Sequence, residues 1–444
     1  MALISTTDGT VAVPLRDEAM QYKATQRKRR GMLIRAVAGV SFEYYDYVMF
    51  AAFTPFFANQ FFKSEDALTA TLNTLLIFAL GFVTRPFGAM IAGRVADRFG
   101  RKPVMVASLG FAALGSLAIA VTPTYDTIGV AAVFVLVSAR LLQGIAHGME
   151  SISAYVYTAE MADPKRRGLF TSFYPVALNL GVMQGSIFGV ILTSILTDAE
   201  MHAWGWRIPF AIGAVYGLFV LIIRRGLEEP ASYESAKEKA AAEDKGYWRN
   251  IWEHRRVVLT LFLLWPAAAT GAYMLQVSYT QYAITSVGAS PQTAFWAGLI
   301  ALSVYTFALP FWAWVSDRMG RRFNYFVGLG GTAILAFPLQ MMLGPSLWQL
   351  VLPMTIGLLV FAAESGCEPT FINELIPNRV RAQVMSLPSS LGAVLFGSTA
   401  PYLRSWSAAY ASPYLFTGYF VVLCLIAVLT VRTLPETAGR DLSR

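Results

Sequence analysis

Charge is what this sequence has least of. Of its 444 residues only 14% are charged, while 56% are hydrophobic, and the mean hydropathy is +0.51. A water-soluble domain carries roughly 25% charged residues, so most of this surface must face lipid. Cysteine is scarce too. Cys367 and Cys424 both fall inside apolar runs, which predicts unpaired packed thiols and excludes a disulfide framework. Three scattered histidines make no metal cluster. No G-x-x-x-x-G-K-[ST] loop occurs, so the usual phosphate cradle of an ATP-driven pump is missing. No cofactor is expected, and energy must come from gradients. No cleavable signal peptide is visible, because the apolar run after residue 31 is too long for one.

What is present are long apolar runs. A membrane span needs about 20 such residues, and twelve candidates can be read. Six lie near 32–58, 69–95, 103–122, 128–158, 168–196 and 206–224. Six more lie near 256–287, 293–316, 323–343, 347–374, 380–404 and 411–432. Of the 35 lysines and arginines, the segments expected outside hold only Lys63, Arg207 and Arg404. Arg85 and Arg140 lie within spans, and all the others fall in segments expected to face the cytoplasm. That bias places both termini in the cytoplasm. It also reads the basic stretch Gln26 to Arg30 as an orientation signal rather than a nucleic-acid contact.

The polar, Ala/Glu/Lys-rich stretch between the sixth and seventh spans divides the chain. The expected organisation is a tail at 1–31, a six-helix bundle at 32–224, a linker at 225–255, a second bundle at 256–432 and a tail at 433–444. The halves repeat each other. Val95 to Lys102 aligns with Val315 to Arg322, with five of eight positions identical. Glu160 and Arg167 are echoed by Glu374 and Arg381. Duplicated halves place a substrate site at their interface, near the membrane midplane.

These motifs resemble the major facilitator superfamily, and within it the metabolite:proton symporter family. Gly93 to Lys102 fits the superfamily signature G-x-x-x-D-R-x-G-R-[KR]. Glu43-Tyr44-Tyr45-Asp46-Tyr47 is similar to the symporter family's E-W-Y-D-F. Arg85-Pro86-Phe87-Gly88 is similar to R-P-[LF]-G. Arg140, Gln143-Gly144 and Gly148-Met149-Glu150 resemble R-x-x-Q-G-x-x-x-G-G-E, with Met149 in place of a glycine. Leu227 to Pro230 resembles L-E-E-[ST]-P. Proton-coupled sugar porters share the Tyr-Asp and the Arg of the first and fourth helices. The resemblance implies an all-α membrane protein of twelve transmembrane helices in two pseudo-symmetric six-helix bundles, working as a secondary transporter by alternating access.

Ionisable groups at membrane depth cost at least about 2.5–3.5 kcal/mol each, so each needs a reason. Asp46 and Arg140 are expected at similar depth, where they can pair. Protonating the acid would then release the arginine, which couples a proton to a change of shape. The other reading is a static salt bridge. Glu43, about one turn before Asp46 on the same face, is a further proton-coupling candidate. Arg85 near mid-membrane could clamp a substrate carboxylate or neutralise Glu43 or Glu150. Glu364 and Glu368, one turn apart, are either a second proton site, a contact for a cationic or hydroxyl group, or structural. In the seventh helix Tyr273, Gln276 and Tyr279 are candidate substrate contacts, and Gln276, Tyr279 and Tyr282 are spaced to share a face. Asn179, Gln184 and Tyr305 add candidate hydrogen bonds, with helix packing as the alternative. His147 could titrate or simply pack. Gly181, Gly185 and Gly189 allow close helix approach. The drug-antiporter branch has a proline where Ser186 stands, which argues against efflux.

The superfamily resemblance further implies an inner gate. Asp97 would sit on the N-terminus of the eleventh helix and Asp317 on that of the fifth. Arg98, Arg101, Glu160, Arg167, Arg321, Glu374 and Arg381 would complete the charge network. The expected partners are a small-molecule substrate, protons and the lipid bilayer, with no nucleic acid, and the chain is expected to act as a monomer. The leading function is proton-coupled uptake of a small polar metabolite, an organic acid. A sugar or zwitterionic osmolyte symporter is the first alternative, and an efflux antiporter the next. A membrane enzyme is disfavoured because no metal-ligand cluster, Ser/His pair or nucleotide loop lies at membrane depth. A non-transporting receptor would be expected to have lost Asp46 and Arg140.

Overall fold

The computed structural model describes residues 41, 44–63, 67–91, 101–150, 155, 159, 162, 166–225, 247–377 and 380–440. Among these residues regular structure is helical throughout and no strand occurs. Twelve spans are arranged in order. They are α1 (44–61), α2 (Ala67–Ile91), α3 (Arg101–Val121), α4 (Ala131–Glu150), α5 (Arg167–Ile195) and α6 (Arg207–Arg225). After the linker come α7 (Arg255–Val277, continued as Tyr279–Thr285), α8 (Pro291–Met319), α9 (321–341), α10 (Leu347–Leu375), α11 (381–410) and α12 (Pro413–Thr433). Most of the linker, residues 226–246, lies outside the described residues.

Seven of these helices are, among the described residues, long and apolar enough to cross a bilayer unaided. In α3 and α6 the apolar stretches among the described residues are Val106–Val121 and Arg207–Phe219. Wide π turns at Phe326–Gly330 and Ala393–Gly397 lie within α9 and α11. Outward-facing side chains such as Phe307 (78% exposed) and Ile334 (76%) would be liabilities in water and suit lipid. At 29 residues, α8 is about 44 Å long, longer than the roughly 30 Å hydrocarbon core, so it must tilt or extend its polar ends beyond that core. Ser290 caps its start, accepting from the Thr293 backbone, with Pro291 at the first helical position.

The packing repeats with the sequence. In the first half α2 packs on α4, and α3 on α4 and α6; in the second half α8 packs on α10, and α9 on α10 and α12. The halves meet along two seams related by the same duplication, α5 against α8 and α2 against α11. Glycines set the close approaches. A Cβ on Gly144 would collide with the Gly81 carbonyl and the Thr84 hydroxyl, and one on Gly148 with the Arg85 carbonyl. Thus the glycines of the Arg85–Gly88 and Arg140–Glu150 motifs let α2 and α4 touch backbone to backbone. Gly181 and Gly185 receive α1 at Tyr44 and Val48, whereas Gly189 seats the Phe295 ring of α8.

Gly144→Ala is therefore expected to separate α2 from α4 at a cost of about 1–3 kcal/mol, the range for overpacking. Gly330, where a Cβ meets only Val428 at 3.9 Å, is the matched control. Thermal unfolding in detergent should show a lowered midpoint for Gly144→Ala and little change for Gly330→Ala.

Candidate functional site

The ionisable groups of α1, α2 and α4 converge in the core of the first bundle. Asp46 and Arg140 are each 1% exposed, yet they do not form the direct pair that their depth suggested. Two neutral residues stand between them. Ser116 Oγ donates to Asp46 Oδ1 at 2.6 Å, Gln143 Nε2 donates to Ser116 Oγ at 2.9 Å, and Arg140 Nη1 donates to Gln143 Oε1 at 2.9 Å. Gly115 leaves the room that Gln143 occupies. Asp46 Oδ2, and Arg140 Nε and Nη2, find no protein partner. The arginine lies instead over aromatic rings, 4.5 Å from the Phe50 centroid and 4.9 Å from that of Tyr47. An aromatic wall takes the place of a counter-ion, because ring faces attract a guanidinium.

Tyr47 is shared. Its hydroxyl accepts from Arg85 Nε at 3.3 Å, and the Arg85 guanidinium also lies 4.1 Å from the Phe82 centroid. The His147 ring packs 4.2 Å from Tyr47. Phe82 in turn meets Tyr273 of α7 at 5.4 Å, so the cluster reaches the second half at the bundle interface. Arg85 and Arg140 are thus held near each other by one tyrosine. Glu43 lies outside the described residues, as does the side chain of Glu150, the other partner considered for Arg85.

Across the interface, Gln276 Nε2 donates to the Tyr305 hydroxyl at 3.3 Å. Glu364 of α10 is 1% exposed. Its Oε2 accepts from Ser365 Oγ at 3.1 Å, and its Oε1 has no protein partner. Glu368, one turn on, is partly exposed. The expected common face of Gln276, Tyr279 and Tyr282 does not exist. A π turn at Tyr273–Val277 inserts an extra residue ahead of a break at Ser278, which rotates the last two turns of α7 relative to the first part. Gln276 points to α8, whereas Tyr279 and Tyr282 turn into the second bundle, against Arg404. Asn179 donates to the Leu302 carbonyl (2.9 Å) and Thr306 Oγ1 (2.7 Å) of α8. Gln184 donates to Ser41 Oγ, ahead of α1 in the chain, and to the Leu180 carbonyl, both at 3.3 Å. Both residues join helices.

At one end of the bundles a charge network ties the halves together. Asp317 Oδ1 and Oδ2 accept from the Gly168 and Leu169 backbone N–H groups at 2.9 and 3.0 Å, at the start of α5. Free N–H groups and the helix dipole favour a carboxylate there. Arg321 Nη1 donates to Asp317 Oδ1 at 2.7 Å. Glu374 accepts from Arg167 Nη1 at 2.9 Å and from Arg321 Nε at 3.1 Å, all three side chains being almost wholly buried. Arg381 bonds the Ile376 carbonyl at 3.3 Å. Asp97, Arg98 and Glu160 lie outside the described residues, and of Arg101 only the backbone is described. The opposite end is drawn together by packing, with Phe295 lying 5.6 Å from Phe53 and 6.3 Å from Phe56.

The segment after α12 joins the same network, which sequence reading treated as a plain tail. Thr437 Oγ1 donates to Glu374 Oε2 at 2.8 Å, and the Arg440 carbonyl accepts from Arg167 at 2.7 Å. Glu436 caps the start of α9, accepting from the Arg321 and Arg322 backbone at 2.8 and 3.1 Å. Partial burial opposes its charge, but four backbone N–H groups outweigh it and hold the carboxyl below the ordinary range. A depressed carboxyl contributes stability above its unfolded value, about 4.3. That contribution is lost as pH falls through the lower folded value. Wild type should therefore unfold at a higher temperature than Glu436→Gln at neutral pH, and the difference should start to shrink below about pH 4.3 and vanish only once the pH falls below the lower folded value.

Sequence reasoning missed Ser116, the bridging use of Gln143, and the aromatic wall of Tyr47, Phe50 and Phe82. It also assigned Arg404 to an outer segment. α11 continues to Tyr410, and Arg404 is buried, 3% exposed, with its guanidinium 3.9 Å from the Tyr282 centroid.

Comparison with known proteins agrees with this fold. The family model described as Major Facilitator Superfamily matches residues 36–401. The chain is 31% identical to the alpha-ketoglutarate permease of Escherichia coli (strain K12), over 91% of this chain and 93% of that protein. It is 28% identical to the citrate-proton symporter of Klebsiella pneumoniae, over 90% of each. Among solved structures, the xylose transporter XylE from E. coli, in a partially occluded inward-open conformation, superposes with a TM-score of 0.74 at 18% identity. That match covers 93% of this chain and 99% of that one.

Proposed function

Because this chain belongs to the major facilitator superfamily, a family of membrane transporters, we propose that it is a proton-coupled symporter taking up a small organic acid by alternating access. The observation that carries the reading is the buried chain Arg140–Gln143–Ser116–Asp46, set beside a second arginine, Arg85, at the bundle interface. Two guanidiniums near one interface suit a carboxylate-bearing substrate, since Arg binds carboxylates through paired N–H donors. The permease and the symporter compared above, named for alpha-ketoglutarate and citrate, agree with a di- or tricarboxylate.

Asp46 is the proton carrier in this reading. Its Oδ2 carries no protein donor, so a proton can be placed there without breaking a hydrogen bond. Ser116 and Gln143 then transmit the change to Arg140, a positioning role rather than a contact. The network at Arg167, Asp317, Arg321 and Glu374 is the inner gate, with both termini on the cytoplasmic side of an inner membrane. The chain performs no chemistry on its cargo and needs no cofactor.

A zwitterion or polyol is the second reading, favoured by one observation. Glu364 presents an unpartnered carboxyl oxygen in the second half, which could receive a cationic or hydroxyl group while Arg85 holds a carboxylate.

Radiolabelled uptake into proteoliposomes, screened over organic acids, betaines and sugars with and without a pH gradient, tests these readings. Gradient-driven accumulation of a di- or tricarboxylate is expected. Accumulation of a betaine or sugar instead would move the assignment to the second reading, and uptake indifferent to the pH gradient would refute proton coupling.

A further inference from the structure

Arg404 lies away from the transport cluster, inside the second bundle, towards the end opposite the Glu374 network. A guanidinium at membrane depth is costly unless something answers its charge. Here one nitrogen is answered by backbone: Nη1 donates at 3.1 Å to the Met274 carbonyl, in the π turn of α7. The ring faces of Tyr279 and Tyr282 flank the guanidinium at 5.0 and 3.9 Å. Nη2 finds no protein acceptor, and no ion pair reaches Arg404 among the described residues. The Tyr279 hydroxyl, also buried, has no protein partner either. Both side chains line one cavity between α7, α9, α10, α11 and α12, together with Thr332 and Gln340. Gln340 has its amide directed to the Tyr282 hydroxyl at 3.2 Å.

We propose that this cavity is an anion site, taking a compact anion, either a halide or a single carboxylate group, on Arg404 Nη2 and the Tyr279 hydroxyl. The chemistry is complementary: a cationic donor and a neutral hydroxyl donor line one cavity, and among the described residues no carboxylate of the chain is bonded to either. The rest of the lining is largely apolar, with Leu275, Leu339 and Phe420, so an anion with many polar groups would find few further partners there. Occupancy would tie α11 to the far segment of α7, because Arg404 already holds Met274 and stacks on Tyr279 and Tyr282. The bound form should therefore resist unfolding.

The test uses the full-length protein purified in detergent, without substrate and without a pH gradient, so its failure leaves the transport reading untouched. Thermal unfolding is followed while sodium gluconate is replaced at constant ionic strength by sodium chloride or sodium acetate. A saturable rise in midpoint with either anion is expected; chloride alone assigns a halide, acetate alone or both a carboxylate-tolerant site. In Tyr279→Phe the half-saturating concentration should rise about tenfold, as expected for losing one hydrogen bond to a charged ligand. In Arg404→Gln the saturable component should be absent. If Arg404→Gln does not fold, the Tyr279→Phe titration carries the test. Absence of a saturable rise in wild type, or wild-type half-saturation in Tyr279→Phe, would overturn the proposal.

Discussion

Replacing Asp46 with asparagine is expected to abolish gradient-driven accumulation while sparing counterflow exchange. Asparagine keeps the size of the side chain and can still accept from Ser116, so the local packing of α1 against α3 should survive. It cannot take up and release a proton. Each coupled proton lets one unit of pH gradient sustain about a tenfold concentration ratio, or about 1.4 kcal/mol. The variant should therefore lose roughly tenfold in accumulation per unit of gradient while equilibrating substrate across the membrane. Retained accumulation would remove Asp46 from the proton path. Loss of exchange as well as accumulation would indicate a packing defect instead.

The second large effect is expected at Glu374. Its carboxylate lies wholly buried between Arg167 and Arg321 and also accepts from Thr437. Glutamine leaves two buried guanidiniums without their shared anion. Breaking a buried pair in this way costs about 3–5 kcal/mol, which is about a hundredfold or more in an equilibrium constant. The closed end of the molecule should open in Glu374→Gln. Hydrogen exchange by mass spectrometry should show protection lost at residues 167–171 and 434–440, with the helix interiors of α8 and α10 little changed. Unaltered protection there would mean that the network does not hold the end closed.

How much of this was legible in the sequence depends on how each feature looks along the chain. Asp46, Arg85 and Arg140 stand out because a charge inside an apolar run is rare and expensive. The duplicated Asp317 segment was legible because it recurs in both halves. Ser116 was not, since a serine in an apolar helix is ordinary and only the apposition of α3 and α4 turns it into a bridge. The direct Asp46–Arg140 pair was a depth argument, and depth alone says nothing of the side chain standing between two groups. The π turn in Tyr273–Val277 has no punctuating proline or glycine, so extrapolated helical spacing put Tyr279 on the wrong face. Arg404 was misplaced because a basic residue near a span's end reads as outside, whereas α11 carries on for more than a turn. Glu436 and Thr437 sit in a short polar segment whose partners, the start of α9 and Glu374, are more than 60 residues away. No local pattern announces such a contact.

The most direct measurement of the central claim is proton movement itself. Proteoliposomes loaded with a fluorescent pH indicator and given an external di- or tricarboxylate substrate, with the membrane potential clamped, should acidify inside in step with labelled uptake. Asp46→Asn vesicles should show uptake without acidification. Uptake by the wild type with no accompanying acidification would contradict proton coupling through Asp46.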